Sequence, residues 1–486
     1  MQDNQNYDCS LISTPKAINS IRLGTAIIFF VHFCIAVYYK IIVGVNIEYF
    51  FMTWDWFWQT LPLELLKTNM IESIWNLHSQ PPLHNLFGAF LVKLFDPHHL
   101  QYMHYWHIIL GSLLSAMLYI IILRLTGNNI FSFIIALVLC LNPSLFLYEA
   151  FALYILPTAF WVITSLFFLS MFSIKKRVAY IYAFIFSLNA LILIRSIYHI
   201  IILLVGIPFA CVLAHKQWRK VLIISVLISL TSLTWYGKNY FKFGFFGASS
   251  LMGSNLYRIA RINYSNERLT ELAEAKIIQS IILKRAPFSK PSEYMKYGFD
   301  KTSSVKALAN DDYNNINFIA ISKMYQVNAI ELILHDPLHY LRNIMNAYML
   351  YCQPSSRYEQ IHHNAVKIKS HETISSEIFQ GLALTNRFPN MMPFMFYLLP
   401  VFLLFYLIML VINCRVSVSK WFNYIQIDAV MLFAVFVIIY TTVISCSFEF
   451  GENGRFKFLV EQVLWAFIIS CIYRFSHFIA SKVSAS

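Results

Sequence analysis

The ionisable residues of this 486-residue chain are few, and several stand where long apolar runs end. An early polar stretch holds Glu48 and Asp55 and then the run HSQPPLHN, from His78 to Asn85. Glu149 lies within NPSLFLYEAFALYILP, Arg195 within LIRSIYH, and Lys238 and Asn239 open KNYFKFGFFGASSLMGSNL. Near the end, EFGENGRFKF supplies Glu449, Glu452, Arg455 and Lys457. A carboxylate beside several cations at a membrane boundary suits group transfer from a phosphate-bearing lipid. The cations neutralise and hold the departing phosphate, while the carboxylate takes a proton from an incoming hydroxyl. The GxxxxGK[ST] phosphate loop is absent, and Gly244, Gly247 and Gly253 fit no dinucleotide fingerprint, so the donor is expected to be membrane-borne rather than a nucleotide.

Each of these residues also has a plain structural reading. Asp55 can cap a helix, and Pro81-Pro82 can start a helix over 83–95. Arg195 and Lys238 can be interfacial anchors that snorkel outward. Glu452 and Arg455, three apart, can form a surface pair worth little. Their arrival at one depth from separate segments favours a single shared site. Polar groups at membrane depth are costly, and these are expected at the ends of spans rather than inside them.

The elements that must position them are membrane spans. The chain is 58% hydrophobic and 13% charged, with mean hydropathy +0.59, far from the balance of a soluble domain. Aromatics reach 17%, in keeping with Trp and Tyr at headgroup level. About ten apolar runs are long enough to consider, at 21–43, 102–123, 130–148, 155–174, 178–194, 197–214, 221–236, 392–412, 427–446 and 459–473. The fold expected is all-α and polytopic. Lys16, Arg22, Arg124, Lys175-Lys176-Arg177, Lys216, Arg219, Lys220, Arg415, Lys420, Arg474 and Lys482 fall on one face, which the basic-loop rule makes cytoplasmic together with both termini. Two long segments, 46–101 and 238–391, then share the outer face. The second is expected to hold helices over 267–285, 310–335 and 338–351, each ending before a proline. This divides the chain into a core over 1–237, an outer helical module over 238–391, and C-terminal spans over 392–486. The net charge of +13 is accounted for by cytoplasmic loops, so nucleic acid is excluded as a partner. Cysteine spacing supports no disulfide framework. Asn263-Tyr264-Ser265 forms a glycosylation sequon in the outer module.

Together these motifs resemble the GT-C superfamily of integral-membrane glycosyltransferases, on the bacterial branch of protein-mannosyltransferase-like and aminoarabinose-transferase-like enzymes. The resemblance rests on Asp55, HSQPPLHN, NPSLFLYEAFALYILP, LIRSIYH, KNYFKFG and ENGRFKFLVEQ, and covers the seven-span N-terminal core best. It implies transfer of a sugar from a polyprenyl-phosphate carrier to a glycan, lipid or protein acceptor outside a bacterial inner membrane. It further implies Asp55 as base, His78 and Gln80 lining the donor pocket, and Lys238 and Arg455 on the lipid phosphate. Glu149, Arg195, Asn239 and Glu452 take supporting places. Many relatives carry two adjacent acidic residues in the first loop, where Trp54 and Trp56 flank Asp55 here and Glu48 is the nearby substitute. Some relatives bind a divalent metal, but His78, His84, His98 and His99 have no ligand spacing, and no cofactor is called for. The competing readings are a lipid-linked glycan ligase or polymerase using a pyrophosphate donor, and a transporter. A transporter places ionisable groups near the bilayer midplane, commonly in repeated halves.

Overall fold

The computed structural model describes residues 15–41, 47, 54–380, 392–414, 425 and 428–483. Glu48, Arg415 and Lys420 lie outside the described residues. Among the described residues every regular element is helical. Helix α1 (Pro15–Ile41) is followed by the short helices α2 (Leu63–Thr68) and α3 (Met70–Trp75), then α4 (Leu83–Phe95). The bundle continues through α5 (His99–Thr126), α6 (Asn129–Cys140), α7 (Pro143–Glu149), α8 (Ile155–Lys175), α9 (Ala179–Ile194), α10 (Ile201–Leu213) and α11 (Trp218–Phe243). The module that follows holds α12 (Met252–Arg261), α13 (Asn266–Glu274), α14 (Lys306–Ala309), α15 (Asn317–His335), α16 (Pro337–Cys352), α17 (His362–Lys367) and α18 (Lys369–Gln380). Helices α19 (Phe394–Cys414), α20 (Ala429–Phe448) and α21 (Asn453–Val483) complete the chain.

Seven described helices are long and apolar enough to cross a bilayer. They fall on seven of the ten expected runs. The third run is instead a broken span, because Pro143 lacks the amide that would continue α6, and α7 leaves at 52°. Asn142 caps the new helix by accepting from the Ser144 amide at 2.9 Å. The fifth and sixth runs form α9 and α10, of 16 and 13 residues. At 1.5 Å per residue these reach about 24 and 20 Å, short of a hydrocarbon core of roughly 30 Å.

One end of the bundle gathers the helix termini that carry the basic loops. Asn129 donates to Ser20 at 3.0 Å, and Arg474 reaches both the Leu125 carbonyl and the Asp428 carboxylate, at 3.2 and 2.9 Å. Both long segments meet at the opposite end. There Asn314 accepts from the His78 amide at 2.7 Å, and Tyr148 donates to the Ser355 carbonyl at 3.2 Å.

Two expectations for the outer module need correction. The helix over 267–285 is the nine-residue α13 followed by a 3₁₀ turn at Ser280–Leu283, with Lys276 between them in the left-handed region at φ 59°. The helix over 310–335 starts only at Asn317, because Asp312 and Asn315 accept from the amides two residues on, at 2.8 and 2.9 Å. Such bonds hold the backbone in turns that compete with a helix. Helix α16 begins at Pro337, with Asp336 accepting from the His339 amide at 3.0 Å.

The expectation that ionisable groups avoid the interior of spans fails at His32. His32 lies well inside α1, fully buried, and its Nε2 meets Glu149 Oε1 at 2.6 Å. Its Nδ1 approaches the Cys140 carbonyl at 2.9 Å, a group beside the break in the third span. The break therefore brings polar backbone into the bundle, and His32 and Glu149 satisfy it and each other. Nothing but hydrogen fits opposite: a Cβ on Gly111 of α5 would lie 1.9 Å from Glu149 Oε1. Gly111→Ala is expected to cost about 1–3 kcal/mol through overpacking. Gly237→Ala in α11, where a Cβ meets nothing within 4 Å, should be neutral or stabilising. Thermal unfolding of the two purified variants in detergent checks the difference.

Candidate active site

The groups at the outer-module end form two adjacent clusters rather than one. The first is built on the turn between α20 and α21. Glu449 ends α20 with extended backbone, and Gly451 follows at φ 96°, a conformation open to glycine. A side chain at 451 would also press on Arg258, whose Nη2 lies 3.1 Å from an ideal Cβ. Asn453 ties the turn together, accepting from the Gly451 amide at 3.1 Å and donating to the Ser445 and Glu449 carbonyls at 3.3 and 3.1 Å. So shaped, the turn sets Glu449 against Arg258 of α12 at 3.0 Å, while Glu452 pairs with Arg455 on the first turn of α21. Tyr358 donates to Glu452 at 3.5 Å. Burial, and then repulsion from Glu452, hold the Glu449 carboxyl above the usual carboxylate range.

Arg195 enters the same cluster from the core. It ends α9, and its turn is pinned by Tyr440, which accepts from the His199 amide at 2.9 Å and donates to the Ile197 carbonyl at 2.8 Å. The guanidinium lies between two rings, 4.9 Å from the centroid of Tyr154 and 4.3 Å from that of Phe456. It is 3% exposed, and its Nη1 is buried without a hydrogen-bond partner. Three guanidiniums thus face two carboxylates; Arg258 and Arg455 pair with them, while Arg195 enters no ion pair among the described residues and keeps a buried donor unused. Buried charges are ordinarily paired. An unpaired one held by rings is a place for an anion.

The second cluster surrounds Lys238, near the C-terminal end of α11. Its ammonium donates to the Leu77 carbonyl at 2.6 Å and stands 3.5 Å from the Trp235 ring centroid. His78 is fully buried, with Nδ1 2.8 Å from Ser250 Oγ, and Ser250 donates its amide to the His78 carbonyl at 2.9 Å. Burial, and then the nearby Lys238, push the His78 imidazole down to about 3, so it is neutral at ordinary pH. His78 Nε2, Gln80 Oε1 and Asn239 Oδ1 are buried and without hydrogen-bond partners. Asn239 itself is held through its amide nitrogen by the Gly247 carbonyl at 2.6 Å. Neutral donors and acceptors held ready beside an ammonium suit a hydroxyl-rich ligand.

Residues 313 and 314 join the clusters. The Tyr313 ring packs on Trp58 at 5.0 Å and feels the charges of Glu452, Arg258, Arg455 and Glu449. Asn314, next in sequence, accepts from the amides of His78 and Ser79 at 2.7 and 3.3 Å. Of the residues singled out in the sequence, Arg195, Arg455 and Glu452 come together, and His78, Gln80, Lys238 and Asn239 come together. Asp55 is exposed and accepts from the Leu63 amide at 2.8 Å, at the start of α2. Glu149 is inside the bundle with His32. Sequence reasoning missed Arg258, Tyr313, Tyr358 and Trp58. Arg258 and Glu449 are 191 positions apart, and nothing local to either marks the pair.

The Arg258–Glu449 pair generates a test. Arg258→Met leaves a nearly buried carboxylate without its partner, and Glu449→Gln leaves the guanidinium without its own. Each is expected to lower stability by about 1–3 kcal/mol. The double variant should lose less than the two losses added, since neither charge is then stranded. Thermal melts of the four proteins check the cycle.

No protein-family model matches the chain, and no curated protein matches it. Among solved structures it is similar to the crystal structure of ArnT from Cupriavidus metallidurans bound to undecaprenyl phosphate. The identity is 12%, over 94% of this chain and 78% of that one, with a TM-score of 0.32. A likeness so remote assigns no residue a role.

Proposed function

We propose that this protein is a glycosyltransferase that moves one sugar from a polyprenyl-phosphate carrier to an acceptor outside a bacterial inner membrane. The observation that carries the reading is Arg195: a ring-sandwiched, buried guanidinium with an unused donor, beside Arg455, at the end of an apolar bundle. Such a group takes the phosphate of a lipid whose tail runs between the spans. The Lys238 cluster, with its unpaired atoms on His78, Gln80 and Asn239, then takes the sugar hydroxyls. The reaction is a direct displacement with inversion at the anomeric carbon. Charge develops on the departing phosphate oxygen, and cations already in place stabilise it without reorganising. The motifs that resemble GT-C enzymes support the same chemistry.

The donor can be tested with purified protein in lipid nanodiscs. Transfer is expected from polyprenyl-phosphate sugars and not from soluble sugar nucleotides. Robust turnover of a sugar nucleotide without carrier lipid overturns the reading. Arg195→Ala should weaken donor-lipid binding and slow transfer on the order of 10²-fold. Arg195→Lys should recover only part, since an ammonium lacks the flat fork that stacks between rings and grips phosphate.

The basic loops support an orientation with both termini in the cytoplasm. Cysteines introduced singly at Lys176 and Lys301, in a cysteine-depleted background, should react with an impermeant reagent from opposite sides of the membrane. Labelling of both from one side refutes the orientation.

A further inference from the structure

Helix α16 turns one side to the protein and leaves an apolar side bare. Asn343 is buried, donating to the Ile259 and Ile262 carbonyls at 3.0 and 3.1 Å and accepting from Asn263 at 3.0 Å. Ala347 and Tyr351, on the next two turns, are buried on the same side. These contacts fix the roll of the helix. Leu338, Leu341 and Met345 point the other way, 64%, 58% and 51% exposed, with the exposed Arg342 among them. A helix facing water carries polar residues on that side. An apolar patch left bare marks a surface that something covers.

The neighbouring spans show what that is. Helix α20 has 20 residues, bounded by Asp428 at one end and Glu449 at the other. Its length of about 30 Å equals the hydrocarbon thickness, so all of it is needed to cross. Tyr340, early in α16, donates to the Ser447 carbonyl at 2.6 Å, at the module end of that span. Tyr351, in the last turn of α16, accepts from Thr442 at 3.1 Å. Thr442 lies about 8 Å deeper along α20 than Ser447. Between these contacts Tyr348 donates to the Phe396 carbonyl at 3.3 Å, in the first turn of α19. Helix α19 is itself a span, bare on one side at Tyr397, Val401 and Leu404. Helix α16 therefore slants down beside two spans, and its apolar side adjoins a surface that lipid already covers.

We propose that α16 is an interfacial helix sunk in the module-side leaflet, with Leu338, Leu341 and Met345 among acyl chains and Arg342 drawn up to the lipid headgroups. Its partner is the bilayer, not a soluble acceptor or a second copy of the chain. A long basic side chain buries its stem and carries its charge to headgroup level. The apolar face of such a helix settles roughly 5–10 Å into the boundary between headgroups and acyl chains. This contact pins the outer module to the membrane, and it holds whether or not the protein transfers sugar.

The test uses the full chain in nanodiscs of phosphatidylcholine and phosphatidylglycerol. Leu338→Cys, Leu341→Cys and Met345→Cys, each in a cysteine-depleted background, carry a nitroxide. Its collisions with oxygen, which concentrates in lipid, and with a water-soluble nickel chelate are measured by electron paramagnetic resonance. Val443→Cys, at an exposed position of α20, is the lipid reference, and Lys301→Cys, at an exposed position of the outer module, is the water reference. Labels at 341 and 345 are expected to match the one at 443. Their ratio of oxygen to nickel collisions should exceed that at 301 several-fold, and the label at 345 should lie deeper than that at 338. Nickel access at 341 and 345 as free as at 301 overturns the proposal. Exclusion of both probes also does, because protein then covers the face. A label at 338 deeper than one at 345 overturns it as well. Should the cysteine-depleted protein fail to fold, the wild-type chain is used with a diazirine on the lipid acyl chain. Carbene labelling mapped by mass spectrometry should mark residues 337–352 and spare 290–301, and an unlabelled α16 refutes the assignment.

Discussion

A guanidinium buried at the end of an apolar helix bundle constrains everything near it. Arg195 cannot reach water, and the rings of Tyr154 and Phe456 supply only part of what hydration would. Its position therefore has to be enforced by the rest of the fold. The 195–200 turn is clamped by Tyr440 of α20 and by Tyr236 of α11, which accepts from the Ile200 amide at 3.3 Å. The 449–453 turn brings Phe456 and Arg455 to it with two carboxylates that offset two of the three cations. The result is a site whose positive charge is held in place before any ligand arrives, the condition under which electrostatics speeds a reaction.

The broken third span serves the same end from below. Breaking a helix inside a bundle frees carbonyls that no lipid can satisfy. The Leu141 carbonyl is met by His371 of α18 at 2.6 Å, and the ring's other nitrogen accepts from Tyr39 of α1 at 2.6 Å. Glu149 is held by His32, and Gly111 gives it room. Because α7 ends there, the chain can run through residues 150–154 and deliver Tyr154 under Arg195. A continuous helix would carry the same residues past the site. The tight packing around His32 and Glu149 also separates this buried pair from the water-lined midplane sites that transporters use.

The outer module is woven into the core by side chains that bond to backbone. Asn314 grips residues 78 and 79, Ser249 donates to the Ser79 carbonyl at 2.5 Å, and Lys457 donates to the Gln353 carbonyl at 2.6 Å. Bonds of this kind depend on chain path more than on side-chain identity at the receiving end. They fix residues 76–82 of the first long segment against the second, and with them the spacing of the two clusters.

Much of this was legible in residue order. A run of some 20 apolar residues has only one solvent to go to, so the all-helical class and seven of the ten expected spans follow from composition and length. Pro82 and Pro337 mark the starts of α4 and α16, because a missing amide costs nothing on the first turn. The end of the bundle that would hold the polar groups was legible too, and Arg195, Arg455, His78 and Lys238 all lie there. What residue order could not supply is which of them touch. Arg258 finds Glu449 across 191 positions, and His32 finds Glu149 across 117, through packing that leaves no local pattern. Asp55 and Glu449 look alike in sequence, each an acidic residue between two aromatic ones. Only the tertiary structure leaves the first exposed with the Leu63 amide and buries the second against Arg258, because burial and neighbours belong to the folded chain and not to the residue.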